Sequence, residues 1–151
     1  MKGIRGVLAQ RNLREVQGIV EKALIEYVDE RSEDPAMKYA KDILLAGGKR
    51  FRPVLGCLAY EAAGATLDDK MLRTALSAEI IHTATLVHDD IYDQAKLRRG
   101  RPTLHSQHGI AHGIISGDYL FTLGYWLGAE QGPEVIKVLA ETCIGLANGE
   151  L

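Results

Sequence analysis

The chain contains 151 residues, of which 46% are apolar and 25% charged, and 18 Lys and Arg residues against 20 Asp and Glu residues leave a formal charge of -2 at pH 7. This composition excludes a disordered or fibrous chain and is typical of a globular protein of about one domain. A balance so close to neutrality also argues against a general nucleic-acid-binding protein.

Apolar residues recur at steps of three and four along most of the chain, as at Val16, Ile19 and Val20, and this spacing predicts helices. Glycine and proline interrupt the pattern, and Pro53 and Pro133 are suited to the first position of a helix. No stretch alternates with a period of two for long enough to predict a strand, so we expect an all-α fold. The predicted helices lie near residues 4–30, 36–46, 53–63, 69–93, 106–129 and 133–150.

The two cysteines, Cys57 and Cys143, each lie in an apolar helical stretch and have no second cysteine at a metal-ligand spacing. We therefore expect buried, reduced thiols and a cytoplasmic protein. No apolar run reaches the roughly 18 residues that a transmembrane helix requires. The first apolar residues are too few, and too interrupted by Arg5 and Arg11, for a signal peptide.

The last predicted helix still carries its apolar pattern, at Ile144 and Leu146, where the sequence stops at Leu151. An apolar helix face of this kind usually packs against another element. The pattern therefore predicts that the chain is either a fragment or one subunit of a split assembly.

Residues 88–93 (HDDIYD) carry the strongest local signal for chemistry. Asp89 and Asp93 are four residues apart and therefore share one face of a helix, with His82 close to the same face. Mg²⁺ is held by one or two carboxylates together with water and substrate phosphates, so the pair predicts a magnesium site for a diphosphate. The alternative is an exposed acidic helix end. There the helix dipole disfavours negative charge, so a cation should compensate it.

Two basic segments could bind phosphate oxygens. Residues 96–103 (KLRRGRPT) directly follow the aspartates, and arginine binds phosphate through two parallel hydrogen bonds. Residues 47–53 (GGKRFRP) place glycines, which permit close approach of a ligand, before the start of a helix. Each segment alone is more often exposed surface, but together with the carboxylates they predict two anion sites and a metal site.

These two segments, the helix at 81–93 (IHTATLVHDDIYD) and residues 117–120 (GDYL) resemble, in the same order, the trans-isoprenyl diphosphate synthases of the polyprenyl synthetase family. The resemblance covers the whole chain and implies an antiparallel helix bundle of the isoprenoid synthase type. Residues 1–151 would form roughly its N-terminal half. Members of the family carry a second aspartate-rich motif in a C-terminal half, and nothing after Asp118 could serve as that motif here.

The resemblance also implies roles for individual residues. The three carboxylates Asp89, Asp90 and Asp93 would be catalytic, and Asp89 and Asp93 would hold Mg²⁺ bridged to the allylic diphosphate, with Asp90 in support. Arg98 would contact the same allylic diphosphate. The residues expected to bind isopentenyl diphosphate are Gly48, Lys49, Arg52, His82 and Arg99.

The length of the prenyl product is a further feature that the resemblance addresses. In the family, bulky side chains in the turns before the first aspartate form a floor under the growing tail, whereas here the corresponding residues are Ile81, Ala84 and Thr85. The small Ala84 predicts an open floor and a medium or long product. The alternative is that Ala84 only packs against another helix and that an aromatic residue closes the cavity. The candidates are Phe121, Tyr125 and Trp126.

The resulting hypothesis is a Mg²⁺-dependent synthase that condenses isopentenyl diphosphate with an allylic prenyl diphosphate. It would need a complementary C-terminal half or subunit, be inactive as this chain alone, and form homo- or hetero-oligomers. The alternative is a regulatory or length-setting subunit without catalysis, although Lys49, Asp89 and Arg98 favour an enzyme. A terpene cyclase is weaker still, because it would not need Lys49 and Arg52 for a second diphosphate.

Overall fold

The computed structural model describes residues 12–150, and this part of the chain contains seven helices and one short hairpin. The elements in chain order are helices α1 (Leu13–Glu30), α2 (Met37–Leu44), α3 (Phe51–Ala62) and α4 (Asp69–Tyr92), strands β1 (Leu97–Arg98) and β2 (Arg101–Pro102), and helices α5 (Leu104–His108), α6 (Ile110–Ala129) and α7 (Pro133–Glu150). The expectation of an all-α fold is confirmed. Pro133 is the first residue of α7, as the sequence predicts.

The first helix begins with a capping box. The side-chain oxygen of Asn12 accepts hydrogen bonds from the backbone N–H groups of Arg14 and Glu15, and the Glu15 carboxylate accepts one from the N–H of Asn12. These bonds satisfy donors that have no partner within the helix. The part of the predicted helix 4–30 that precedes residue 12 lies outside the described residues.

Two of the differences between predicted and observed helices have a cause in local backbone geometry. Helix α3 begins at Phe51 rather than Pro53, and the proline is tolerated there because N–H groups in a first turn have no intrahelical acceptor. The single helix predicted over 106–129 is divided into α5 and α6 by Gly109, whose φ of 90° favours glycine.

A short hairpin that the sequence did not predict occupies residues 97–102. Leu97 and Arg98 pair in antiparallel register with Pro102 and Arg101, and Gly100 at a φ of 78° turns the chain between them. Two-residue strands are too short to show an alternating pattern, so periodicity could not reveal them.

Helices α4 and α6 form the centre of the bundle and run antiparallel, because glycines further along α6 meet residues earlier in α4. A Cβ at Gly113 would lie 2.8 Å from Ile91, and one at Gly124 would lie 2.5 Å from Ile81 and 3.1 Å from the carbonyl oxygen of Ser77. The two helices come this close only because α6 has no side chain at these positions. Buried residues contributed by the surrounding helices include Val20, Leu24, Leu44, Cys57, Leu76 and Leu120.

The last helix packs on this core at its beginning and leaves apolar residues in solvent. A Cβ at Gly128 of α6 would lie 2.6 Å from Leu139 of α7, yet α7 has no buried residue along its described length. Ile144 and Leu146 are more than half exposed. Cys143 is only partly buried, so the expectation of two buried thiols is correct for Cys57 and wrong for Cys143. Within the described residues, no helix is long and apolar enough to cross a membrane.

The contact between α4 and α6 predicts opposite effects for two glycine substitutions. Gly124→Ala should lower the free energy of unfolding by about 1–3 kcal/mol, because its methyl group would meet the Ser77 backbone, which cannot move away as a side chain could. Gly18→Ala in α1 should raise it by up to about 1 kcal/mol, since no atom lies within 4 Å of the added Cβ and alanine favours helices. Urea unfolding followed by circular dichroism measures both free energies. If the Gly124→Ala and Gly18→Ala proteins were equally stable, the proposed packing would be contradicted.

Candidate functional site

The three aspartates at the end of α4 occupy different environments. Asp90 is 3% exposed, and its Oδ1 accepts a hydrogen bond from Nε of Arg98 at 2.8 Å. Asp89 is partly buried and Asp93 is exposed. The N–H of Asp93 donates to the carbonyl oxygen of Asp89 at 2.8 Å, so the helical turn continues through Asp93. Asp90 therefore binds the hairpin to α4, whereas Asp89 and Asp93 have more open carboxylates.

Negative charge accumulates around Asp89. Partial burial raises the pKa of its carboxyl group, and the nearby carboxylate of Glu150, at the end of α7, raises the pKa further. The positive charge of Arg98 lowers the pKa, and Asp93 and Asp90 raise it again. Because the ionised form of Asp89 is disfavoured here, a cation at this end of α4 would be bound favourably.

Residues 12–150 contain no cluster of three or more His, Cys, Asp or Glu side chains with the geometry of a metal site. Two carboxylates one helical turn apart nevertheless suit Mg²⁺, which prefers hard oxygen ligands and takes one or two protein carboxylates with water and phosphate for the rest. Asp89 and Asp93 are thus residues of the type that a magnesium ion accepts as ligands.

Two adjoining clefts open beside α4. The hairpin cleft, of about 430 Å³, is lined by residues that include Asp42, Thr83, Asp90, Arg98 and Arg101. The loop cleft, of about 450 Å³, is lined by residues that include Gly48, Lys49, Arg52, His82 and Arg99. Both clefts share His82 and Arg99, so the two predicted anion sites are neighbours. Five of the six residues expected to bind substrate line the loop cleft, and Arg98 lines the hairpin cleft.

The basic segment 47–53 separates into exposed and buried cations. Lys49 and Arg52 are exposed, but Arg50 is 4% exposed and its guanidinium is occupied by two carboxylates. Its Nε donates to Glu21 at 2.7 Å and its Nη1 to Glu79 at 3.1 Å. Sequence reasoning missed this network, since Arg50 has two similar neighbours and nothing local marks either glutamate as its partner.

Arg99 joins the hairpin to the glycine loop. Its Nη1 donates a hydrogen bond to the carbonyl oxygen of Gly47 at 2.8 Å. A Cβ at Gly48 would lie 3.1 Å from the same Nη1, so the absence of a side chain at position 48 lets the guanidinium lie over the loop. Gln17 of α1 donates to the carbonyl oxygen of Gly48 at 3.3 Å. These contacts bring the two basic segments, which are far apart in sequence, to one surface.

His82 lies where the two clefts meet and is partly buried. Burial lowers the pKa of its imidazole, and the positive charge of Arg52 lowers it further. Glu79 raises the pKa, while Arg99 and Arg98 lower it. Without an anion in the cleft the neutral imidazole is therefore favoured.

The residues expected to set product length lie inside the bundle. Ala84 is fully buried in the hydrophobic core, and Ile81 is buried against Gly124 of α6. Thr85 is partly buried and donates its hydroxyl hydrogen to the carbonyl oxygen of His82 at 2.8 Å. These positions agree with contacts between Ala84 and neighbouring helices, and the effect of this turn on a prenyl tail stays a prediction.

The relatives of this chain include prenyl diphosphate synthases. The profile of the family described as polyprenyl synthetase matches residues 34–151. Heptaprenyl diphosphate synthase component 2 of Geobacillus stearothermophilus is 42% identical over 118 residues, which are 78% of this chain and 37% of that protein. Geranylgeranyl pyrophosphate synthase of Geoglobus acetivorans is 33% identical over 138 residues, 87% of this chain and 43% of that protein.

Solved structures give the same result. A geranylgeranyl pyrophosphate synthetase from Geoglobus acetivorans superposes with a TM-score of 0.83 at 31% identity and covers 91% of this chain and 47% of its own. Heptaprenyl diphosphate synthase from Staphylococcus aureus superposes with a TM-score of 0.83 at 27% identity, over 94% of this chain and 45% of its own. The chain thus spans less than half the length of these relatives.

The environment of His82 predicts that stability depends on pH. The unfolded chain binds a proton near the ordinary histidine pKa of 6.5, whereas the folded chain needs a lower pH to do so. The contribution of His82 to the free energy of unfolding is therefore complete above pH 6.5 and decreases as the pH falls through the lowered pKa. We expect the free energy of unfolding, measured with urea across this pH range, to depend less steeply on pH in His82→Gln than in the unaltered protein. Identical slopes for the two proteins would contradict the assignment.

Proposed function

The chain belongs to the polyprenyl synthetase family, and from this membership we propose that it forms roughly the N-terminal half of a prenyl diphosphate synthase. The complete enzyme would condense isopentenyl diphosphate with an allylic prenyl diphosphate. In this reaction the bond between the allylic carbon and its diphosphate oxygen breaks, a carbon–carbon bond to isopentenyl diphosphate forms, and a proton leaves.

The observation that carries the proposal is the meeting of two basic segments beside α4. Neither Asp89 nor Asp93 lines either cleft, but the charge of Arg98, which lines the hairpin cleft, acts on Asp89. Lys49, Arg52 and Arg99 supply three positive charges to the loop cleft. The adjoining hairpin cleft is lined by Arg98, which is bound to Asp90 next to Asp89. Two neighbouring anion sites, one of them close to a carboxylate pair, match a reaction with two diphosphate substrates of which only one is a leaving group.

Each side chain then has a defined task. Lys49, Arg52 and Arg99 would bind the diphosphate of isopentenyl diphosphate and orient its double bond. The guanidinium of Arg98 would keep Nε on Asp90 and offer its remaining N–H groups to the allylic diphosphate. Asp89 and Asp93 would hold Mg²⁺, which when bound supplies positive charge to the oxygens of the departing diphosphate.

We also propose that a complementary half or subunit completes the site. The described carboxylates form no three-ligand cluster by themselves. One relative is named as component 2 of a heptaprenyl diphosphate synthase, and that name describes an enzyme of more than one part. The name of this relative also supports a second candidate function, that of a regulatory subunit. A regulatory subunit, however, has no need for two neighbouring basic clefts close to carboxylates.

A reconstitution experiment tests the complementary half. The chain alone should incorporate no radiolabelled isopentenyl diphosphate into organic-soluble product, because in this proposal the complementary part supplies further metal ligands. Mixing it with the C-terminal portion of a homologous synthase should produce Mg²⁺-dependent incorporation. The C-terminal portion alone is the control. Normal turnover by the isolated chain would overturn this part of the proposal, and so would a mixture that stays inactive although the two parts bind each other.

In the reconstituted enzyme, Asp89→Asn should lower kcat by at least about a hundredfold, because removing one charged ligand weakens stabilisation of the leaving group in the transition state. Asp29→Asn, a matched change at an exposed position of α1, should leave kcat within about twofold. Steady-state assays at saturating substrates measure both constants. Activity of Asp89→Asn within tenfold of the unaltered protein would exclude the metal role of Asp89.

A further inference from the structure

Arg50 is the most completely bound cation in the described part of the chain. Its side chain is 3% exposed, and four of its N–H donors are used. Two of them go to the carboxylate of Glu21, at 2.7 and 3.1 Å, and a third goes to Glu79 at 3.1 Å. The fourth donates to the carbonyl oxygen of Leu44 at 2.7 Å. A guanidinium bound in this way has no fork of donors left for a phosphate group.

These bonds connect three separate helices. Glu21 belongs to α1, Leu44 ends α2 and Glu79 belongs to α4, while Arg50 itself immediately precedes α3. The carbonyl at the end of α2 has no partner within its own helix, so the arginine satisfies it. The backbone of Arg50 has a φ of 46°, a left-handed conformation that costs free energy in any residue other than glycine. Such a conformation persists only where the surrounding contacts impose it.

The same conformation sets the direction of the exposed cations. Lys49 lies immediately before Arg50, and Arg52 lies in the first turn of the helix that begins after it. Glu79 lies three residues before His82, so the two share one face of α4. The Arg50–Glu79 bond therefore fixes the basic loop against the helix face that carries His82, and all five residues line the loop cleft.

We propose that Arg50 is a positioning residue for the diphosphate site: through Glu21, Glu79 and Leu44 it holds Lys49 and Arg52 in place without touching the ligand. The inference rests on the proposed function, because it presumes that the loop cleft binds a diphosphate.

Energetics favour this role over simple stabilisation. A buried ion pair costs so much desolvation that apolar residues of similar volume are often equally stable, so the pair is weak evidence for stability. A guanidinium that is hydrogen-bonded to three groups orients its segment in a way that an apolar side chain cannot, because its planar donors fix the direction of each bond as well as its length.

The test compares two identical substitutions in two arginines that each bridge a pair of carboxylates. Arg50→Lys keeps the charge and removes the planar fork. Arg73→Lys is the matched control, because Arg73 binds Glu30 at 3.1 Å and Glu130 at 3.2 Å elsewhere on α4. Two measurements are made on the full chain. They are the Kd for inorganic diphosphate, by calorimetry without divalent cations, and the amide hydrogen exchange of residues 47–52, by NMR without ligand.

For Arg50→Lys we expect the Kd to rise at least tenfold and the exchange of residues 47–52 to accelerate at least tenfold, with unchanged exchange in the middle of α4. For Arg73→Lys both quantities should stay within twofold. If Arg50→Lys does not fold, as judged by circular dichroism, Glu79→Gln replaces it. That variant keeps a neutral oxygen acceptor, and both changes should exceed threefold.

Several results would overturn the inference. Unchanged loop exchange in a folded Arg50→Lys or Glu79→Gln protein would show that Arg50 does not hold the loop. An equal loss of diphosphate affinity in Arg73→Lys would show a general effect of destabilisation. If the unaltered chain binds no diphosphate at millimolar concentration, the proposed function fails at this cleft, whereas the exchange measurement still decides whether Arg50 positions the loop.

Discussion

The close contact between α4 and α6 is the constraint on which the rest of the structure depends. Glycines at 113 and 124 of α6 let the two backbones approach, and a methyl group at position 124 would already collide with α4. Helix α4 carries several residues of the candidate site, including Glu79, His82 and Asp89. A helix packed this closely cannot rotate or slide without large steric cost, so its packing fixes where these groups lie.

Two arginine–carboxylate pairs connect the basic segments to α4 and so fix their positions. Arg98 binds Asp90 near the end of the helix, and Arg50 binds Glu79 about three turns earlier. Each pair uses a buried or nearly buried carboxylate of α4 to hold a segment that has little regular structure of its own. Ion pairs therefore hold these loops in place, as apolar packing holds the helices. Lys49, Arg52 and Arg99 stay exposed beside the clefts.

Without ligand, the site contains two regions of unbalanced charge. Burial lowers the pKa of the His82 imidazole and raises the pKa of the Asp89 carboxyl group. Like charges nearby, first of all Arg52 at His82 and Glu150 at Asp89, shift each pKa further in the same direction. An anion beside His82 and a cation beside Asp89 would together neutralise the excess charge in these two regions. A diphosphate accompanied by Mg²⁺ combines these two charges in one ligand.

The sequence by itself determined the helical class, most helix positions and the exposed basic residues of the loop cleft, because helical periodicity and short basic segments are local properties. It could not distinguish Arg50 from Lys49 and Arg52, since all three are basic residues in one short segment. Only the tertiary structure decided that Arg50 is buried, because its partners Glu21 and Glu79 are 29 residues away on either side and meet it only when α1 and α4 pack together. Pairings across such distances depend on packing and leave no periodic signal, as the two-residue strands at 97–102 also illustrate.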